Sequence, residues 1–177
     1  MAHLLRLTLF VVCGCVLTSC ATASKPAAVA AAPARVQKIK TTAYTANEGG
    51  GGARNAVGSR LSTGAVRSAS SDWSRFPLGT RFRVVSTGEE YVIDDYGGAL
   101  VGTNTIDLYK TSHLAMRRWG VRHVDIEVLR WGSHEESLKV LRPRKGVGRV
   151  RRMIASLEQK QQQQLLPGGE IAGPAAR

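Results

Sequence analysis

Short segments in which apolar and polar residues alternate occupy the central part of the chain. The alternation and the β-branched residues predict strands over residues 36–45, 81–85, 91–93, 105–109 and 124–129. Turns that contain glycine or proline separate these segments. Thr111 or Ser112 is placed to cap a short helix that continues through Trp119 and ends at Gly120. The pattern predicts a small, mainly β domain over residues 36–133, with about six strands and one short helix.

The N-terminal part of the chain has a different pattern, which indicates export. Arg6 precedes an apolar run over residues 7–17 that is short for a membrane span, and small residues follow it. The segment Leu17-Thr18-Ser19-Cys20 resembles a bacterial lipobox, so residues 1–19 are predicted to be a lipoprotein signal peptide and Cys20 the lipidated mature N-terminus. Residues 20–35 are rich in Ala, Ser, Pro and Thr and are predicted to form a disordered tether.

The C-terminal part, residues 134–177, is basic and rich in glutamine. It is predicted to be a disordered tail, with a helix near residues 149–164. The whole chain has 25 Lys and Arg residues against 13 Asp and Glu residues, a net charge of +12, which predicts an anionic partner. For an exported protein that partner is not nucleic acid, and acidic peptidoglycan peptides or anionic lipid headgroups are the expected ones.

Three separated aspartates are the candidate catalytic residues. Asp72 precedes a Pro-Leu-Gly-Thr turn, Asp95 begins an Asp-Tyr-Gly-Gly-Ala-Leu-Val-Gly segment, and Asp107 lies between Ile106 and Leu108. The apolar neighbours of Asp107 would partly desolvate its carboxyl group, which raises the pKa and favours the protonated form that a general acid needs. Asp94 competes with Asp95, because a strand period of two would direct one of them into a groove and the other outward.

The order and flanking residues of these aspartates resemble the three-aspartate (3D) domain, which is related to the catalytic domain of membrane-bound lytic transglycosylase A. The segment Thr42-Ala43-Tyr44-Thr45 and the Ser62-Thr63-Gly64 run also match positions of that family, so the resemblance covers roughly residues 38–130. Tyr96 replaces the usual threonine, and the loop between Tyr44 and Gly64 is longer and richer in glycine. These departures leave the three carboxylates in place.

The resemblance implies a six-stranded double-psi β-barrel whose groove binds peptidoglycan glycan strands. It implies cleavage of the β-1,4 bond between N-acetylmuramic acid and N-acetylglucosamine, with Asp107 as general acid and base and with Asp95 and Asp72 as supporting carboxylates. Thr42, Tyr44, Tyr96, Gly97 and Gly98 are the expected substrate-binding residues. No cofactor or metal is implied, and the histidines lack metal-ligand spacing.

Several alternatives stay open on the sequence alone. One carboxylate is sufficient for a lytic reaction that forms a 1,6-anhydro product, whereas inverting hydrolysis needs a second carboxylate about 6.5–9.5 Å away. A non-catalytic, expansin-like wall-binding module and a structural lipoprotein that links membrane to wall are the rival classes. Ala21 after the lipidated cysteine favours the outer membrane, with the domain facing the periplasm. The sequence does not determine the oligomeric state.

Overall fold

Six strands form a closed barrel in the computed structural model, which describes residues 34–48 and 52–165. They are β1 (Ala34–Tyr44), β2 (Val66–Ser70), β3 (Arg81–Val84), β4 (Glu90–Asp95), β5 (Thr105–Tyr109) and β6 (Arg122–Arg130). Their order around the barrel is β1-β5-β2-β4-β3-β6, in which β1 pairs with β5 and β2 with β4 in parallel and the other pairs are antiparallel. The prediction of a six-stranded, mainly β barrel is confirmed, and the arrangement is consistent with a double-psi β-barrel.

The alternation along the strands separates an apolar interior from a polar outer face. Every second residue points inward, and the inward set is almost completely buried: Ile39, Ala69, Phe82, Val84, Tyr91, Ile93, Ile106, Leu108, Ile126 and Val128. Strand β2 was not identified from the sequence, because Val-Arg-Ser-Ala-Ser carries a single large apolar residue. Pairing with β4 on one side and β5 on the other holds it in the sheet.

Helix α1 (His113–Trp119) confirms the predicted short helix and both of its ends. The Ser112 hydroxyl accepts a hydrogen bond from the Ala115 amide, which satisfies one of the free amides of the first turn. Gly120 ends the helix with a φ of 61°, a conformation that glycine adopts without steric cost. The helix is joined to β1 by the Trp119 indole, which donates to the Thr41 hydroxyl.

Two further helices, α2 (His134–Leu141) and α3 (Gly148–Leu165), follow the barrel, with a 3-10 turn over Arg142–Arg144 between them. This corrects the prediction of a disordered tail for residues 134–165, and α3 is the helix predicted near residues 149–164. The physical reason is apolar spacing within a basic sequence: a helix of period 3.6 gathers these residues on one face. That face is buried in the barrel's hydrophobic cluster through Leu138, Leu141, Val150, Met153 and Leu157.

Close backbone contacts fix the start of α2 against the barrel. The Leu78 amide donates to the Ser137 hydroxyl at 2.9 Å, and the Ser133 amide donates to the Leu78 carbonyl at 3.0 Å. A Cβ atom on Gly132 would lie 2.3 Å from that same carbonyl, so this position requires glycine. The C-terminal helices are therefore part of the folded unit.

The predicted signal peptide, Cys20, most of the predicted tether and residues 166–177 lie outside the described residues. Among those that are described, no helix combines the length and apolar character needed to cross a membrane.

Candidate functional site

A row of polar side chains crosses four neighbouring strands on the outer face of the barrel. Thr42 on β1 is in register with Asp107 on β5, Asp107 is in register with Ser70 on β2, and Ser70 is in register with Asp95 on β4. Residues directly opposite one another in a sheet point to the same face. The register therefore brings Asp95 and Asp107 to one surface, with Ser70 between them.

A β-bulge in β4 places both Asp94 and Asp95 on this surface. The pairing of β2 with β4 shifts between Ala69–Ile93 and Ser70–Asp95, so β4 carries one extra residue at this point. The Asp94 carboxylate accepts hydrogen bonds from Ser68, on the same face of β2 as Ser70, and from Asn55. The sequence prediction that Asp94 and Asp95 point in opposite directions is wrong, because the bulge interrupts the period of two.

Asp107 has a partly desolvated carboxyl group, as its apolar neighbours predicted. Ile106 and Leu108 are completely buried, and the Thr42 hydroxyl donates to Asp107 Oδ1 at 2.6 Å. Burial raises the pKa of Asp107, the Thr42 hydrogen bond opposes the rise, and the negative charge of Glu48 adds to it. Glu48 thus supplies the like-charge repulsion at Asp107 that was expected from Asp95 or Asp72.

Asp95 has the more strongly perturbed carboxyl group. Burial raises its pKa from 3.8 to about 6, and the nearby Asp94 charge contributes to the rise. The Tyr96 amide donates to Asp95 Oδ1 at 2.9 Å, and the Ala56 main chain and the Arg144 charge also favour the ionised form. At neutral pH Asp95 is therefore mainly ionised but is poorly solvated, which is the state of a carboxylate that can accept a proton.

Tyr44 places a hydroxyl group among these carboxyl groups. Burial raises the pKa of Tyr44 well above its ordinary value, and the charges of Asp95, Asp94 and Asp107 raise it further. Ser70 is its polar neighbour, yet among the described residues no partner makes a well-aligned hydrogen bond to the hydroxyl. Asp94 Oδ1 is also buried without a partner there.

Asp72 occupies a different environment from the other two aspartates. It is 3% exposed, and its carboxylate accepts hydrogen bonds from the Ser74 amide, the Ser74 hydroxyl and the Gly102 amide. These bonds tie the loop after β2 to the loop before β5. The structure therefore gives Asp72 a scaffold position, with its acceptor atoms engaged by the loops, and its predicted supporting role in catalysis remains a prediction.

The remaining predicted binding residues lie at the β4 end of the row. Tyr96 is half-buried, and its ring contacts Trp73 edge-on at 5.2 Å between centroids. Trp73 itself is fully buried and donates to the Asp95 carbonyl. A Cβ atom on Gly97 would lie 3.0 Å from the Leu100 side chain, and one on Gly98 would lie 3.0 Å from Nη1 of Arg149. Both glycines therefore allow close packing at the edge of the site.

Sequence reasoning missed Ser68, Ser70, Asn55, Glu48 and Arg144 as members of the site. Ser68 and Ser70 belong to the strand without a clear apolar pattern, and Asn55 and Glu48 come from the glycine-rich segment over residues 48–59. Residues 52–59 of that segment lie against Asp94 and Asp95, and residues 49–51 are outside the described part. An available signal was the Val-Arg-Ser-Ala-Ser alternation itself, which places two hydroxyl groups on one face of a strand.

The arrangement is suited to proton transfer at a bond lying across the row. Asp95 and Asp107 are two strand spacings apart, about 9.5 Å between backbones. Over residues 34–48 and 52–165, His, Cys, Asp and Glu side chains form no group of three or more that could hold a metal ion.

Asp95→Asn should stabilise the protein at pH 7.5 and should have no effect below about pH 4. The folded protein binds the Asp95 proton up to a pKa of about 6, against 3.8 for the ordinary carboxyl, so wild-type stability falls as pH rises between these values. Asparagine removes that cost, which is on the order of 1–2 kcal/mol for a partly exposed group. Thermal unfolding across pH should show a Tm difference of about 2–8 °C at pH 7.5. Glu135→Gln on exposed α2 is the control, and a less stable Asp95→Asn protein at pH 7.5 would contradict the expectation.

The chain is similar to a cell wall-binding protein over about half of its length. It is 36% identical over 92 residues to the cell wall-binding protein YocH of Bacillus subtilis (strain 168), a match that covers 51% of this chain and 31% of that protein. The chain therefore spans about a third of the length of the relative. No family model matches the chain. The similarity agrees with the cell-wall character that the three-aspartate resemblance predicts.

Proposed function

We propose that this protein is a peptidoglycan-cleaving glycosidase of the lytic transglycosylase type, acting on the β-1,4 bond between N-acetylmuramic acid and N-acetylglucosamine. The observation that carries the proposal is the desolvated Asp107 carboxyl group, hydrogen-bonded to Thr42 and in one row with Asp95. The similarity to a cell wall-binding protein supports association with the cell wall. The three-aspartate resemblance supports the substrate bond.

The proposed reaction uses Asp107 twice. Protonated Asp107 donates its proton to the glycosidic oxygen, and the bond from that oxygen to C1 of the muramoyl residue breaks. The Asp107 carboxylate then takes the proton from the C6 hydroxyl of the same residue, whose oxygen forms a bond to C1 and gives a 1,6-anhydro ring. The raised pKa of Asp107 supports the first step.

Digestion of purified sacculi tests the function and separates it from its alternatives. We expect soluble muropeptides with 1,6-anhydro ends, identified by mass spectrometry. Products with reducing ends would mean hydrolysis, with Asp95 activating water across the row. Binding to sacculi without any product would overturn the catalytic proposal in favour of a wall-binding module.

The proposed setting is the periplasmic face of the outer membrane, with Cys20 as the lipid anchor. The Leu17-Thr18-Ser19-Cys20 segment and the following Ala21 support this placement. Two or three acyl chains, at about 0.8 kcal/mol per buried methylene, are sufficient for stable anchoring. The mass of the N-terminal peptide of the mature protein is the check, and an unmodified Cys20 would contradict it.

A further inference from the structure

Two arginines from the C-terminal helical segment border the β4 end of the carboxylate row. The Arg144 guanidinium lies 5.8 Å from the centroid of the Tyr96 ring and donates to the Ala56 carbonyl at 2.8 Å. Arg149, in the first turn of α3, packs so closely on Gly98 that a Cβ there would lie 3.0 Å from its Nη1. The helices that were expected to be a disordered tail therefore contribute to the site.

These two arginines have no carboxylate partner in the described part of the chain, unlike Lys139 and Arg142 of the same segment. Arg142 pairs with Glu158, and Lys139 pairs with Glu135 and Glu136. Among residues 34–48 and 52–165, neither Arg144 nor Arg149 has a carboxylate within ion-pair distance, and both are exposed. A guanidinium group offers five N–H donors, so most donors of each side chain remain free for a ligand.

We propose that Arg144 and Arg149 form an anion subsite that receives a carboxylate carried by a muramoyl residue of the glycan. The inference rests on the proposed function and adds a feature that would make the site selective for peptidoglycan over a neutral glycan. Guanidinium groups bind carboxylates through paired, charge-assisted hydrogen bonds. The carboxylate is that of the lactyl group where muramic acid carries no peptide, or one of the peptide where a peptide is amide-linked to that lactyl group.

The position of the subsite fits a substrate that lies across the row. Tyr96 and Gly98 follow Asp95 directly, and Asp95 is about 9.5 Å from Asp107 by strand spacing. That separation is comparable to the length of one disaccharide unit. A glycan with its scissile bond at Asp107 would therefore place a neighbouring sugar beside Tyr96, with its acidic substituent toward the two arginines.

Binding measurements on three ligands test the subsite, in an Asp107→Asn background that prevents cleavage. The ligands are soluble glycan with its peptides, the same glycan treated with an amidase, which removes the peptides and frees the lactyl carboxylates, and a neutral chitooligosaccharide of equal length. We expect the muramoyl glycans to bind about tenfold more tightly than the neutral one, a difference of about 1.4 kcal/mol. The preference should fall toward one in Arg144→Gln/Arg149→Gln, and toward one at about 1 M salt.

The matched control is Lys145→Gln/Arg151→Gln, which removes the same charge from the same segment. Those residues line a separate groove with Arg142 and Glu158, so the preference should persist.

Retention of the preference in Arg144→Gln/Arg149→Gln, in a protein whose parent releases muropeptides, would overturn the subsite alone. A parent that neither binds nor cuts peptidoglycan would overturn the proposed function. If Arg144→Gln/Arg149→Gln loses the preference for stripped glycan over the neutral oligosaccharide, the bound group is the lactyl carboxylate. If it loses only the preference for the peptide-bearing glycan, the bound group is a carboxylate of the peptide.

Discussion

Replacing Asp107 with asparagine should lower the release of soluble muropeptides from sacculi by about 10²–10⁴-fold, the usual contribution of a general acid. Asparagine keeps an oxygen that can accept the Thr42 hydrogen bond but has no proton of suitable acidity for the glycosidic oxygen. Because the wild-type carboxyl group is partly desolvated, the neutral amide should leave the Tm unchanged or slightly higher. The initial rate of muropeptide release is the measurement.

Glu127→Gln is the matched control for this experiment. Glu127 is also a carboxylate on the outer face of a strand, but it forms an ion pair with Arg83 on β3. Its replacement should change the release rate by less than about twofold, because Glu127 on β6 lies outside the row and the loss of a surface ion pair costs the fold only about 0–1 kcal/mol. Undiminished release by Asp107→Asn would refute the acid assignment. If Asp95→Asn removed release and Asp107→Asn did not, the acid role would pass to Asp95.

The elements that the sequence predicted well are those whose local signal agrees with the tertiary structure. Strand β5 carries Ile106 and Leu108 inward and Asp107 outward, as alternation required. Helix α1 has a capping serine at one end and a glycine at the other, so both of its ends could be predicted from the sequence. The partial desolvation of the Asp107 carboxyl group could be predicted from its two apolar neighbours alone.

The sequence could not predict that the carboxyl groups of Asp94, Asp95 and Asp107 lie on one face of the barrel. A bulge adds one residue to β4, and nothing in Tyr-Val-Ile-Asp-Asp marks where that residue falls. Its consequence is large, because it turns Asp94 and Asp95 to one face, where the Asp94 charge adds to the rise that burial causes in the pKa of Asp95. The repulsive neighbour of Asp107 proved to be Glu48, which is held in a turn after β1 by the hydrogen bond from its amide to the Thr45 carbonyl.

The C-terminal helices show how composition can conceal a pattern. The segment over residues 139–152 is so rich in arginine and lysine that it predicted a solvated tail. Val150, Met153 and Leu157 nevertheless recur at helical spacing and are almost completely buried. Basic residues occupy the exposed faces of the same helices, so a high charge and a buried face coexist in one segment.

Leu141→Ala should therefore destabilise the protein by about 2–5 kcal/mol, the cost of removing a completely buried leucine side chain from a packed core. Leu141 is 0% exposed and belongs to the same hydrophobic cluster as Trp73 and Phe76 of the barrel. It directly precedes the 3-10 turn that carries Arg144. The free energy of unfolding, obtained from urea denaturation, is the measurement.

Leu114→Ala on α1 is the control, because Leu114 is 53% exposed and its truncation should change stability by less than about 0.5 kcal/mol. A tail that is not packed on the barrel would make the two substitutions equally mild, which would contradict the integrated fold. A loss confined to Leu141→Ala, in a single transition seen by both tryptophan fluorescence and circular dichroism, would mean that α2 unfolds with the barrel. The arginines beside Tyr96 and Gly98 would then be held by the same cooperative core that positions Asp95 and Asp107.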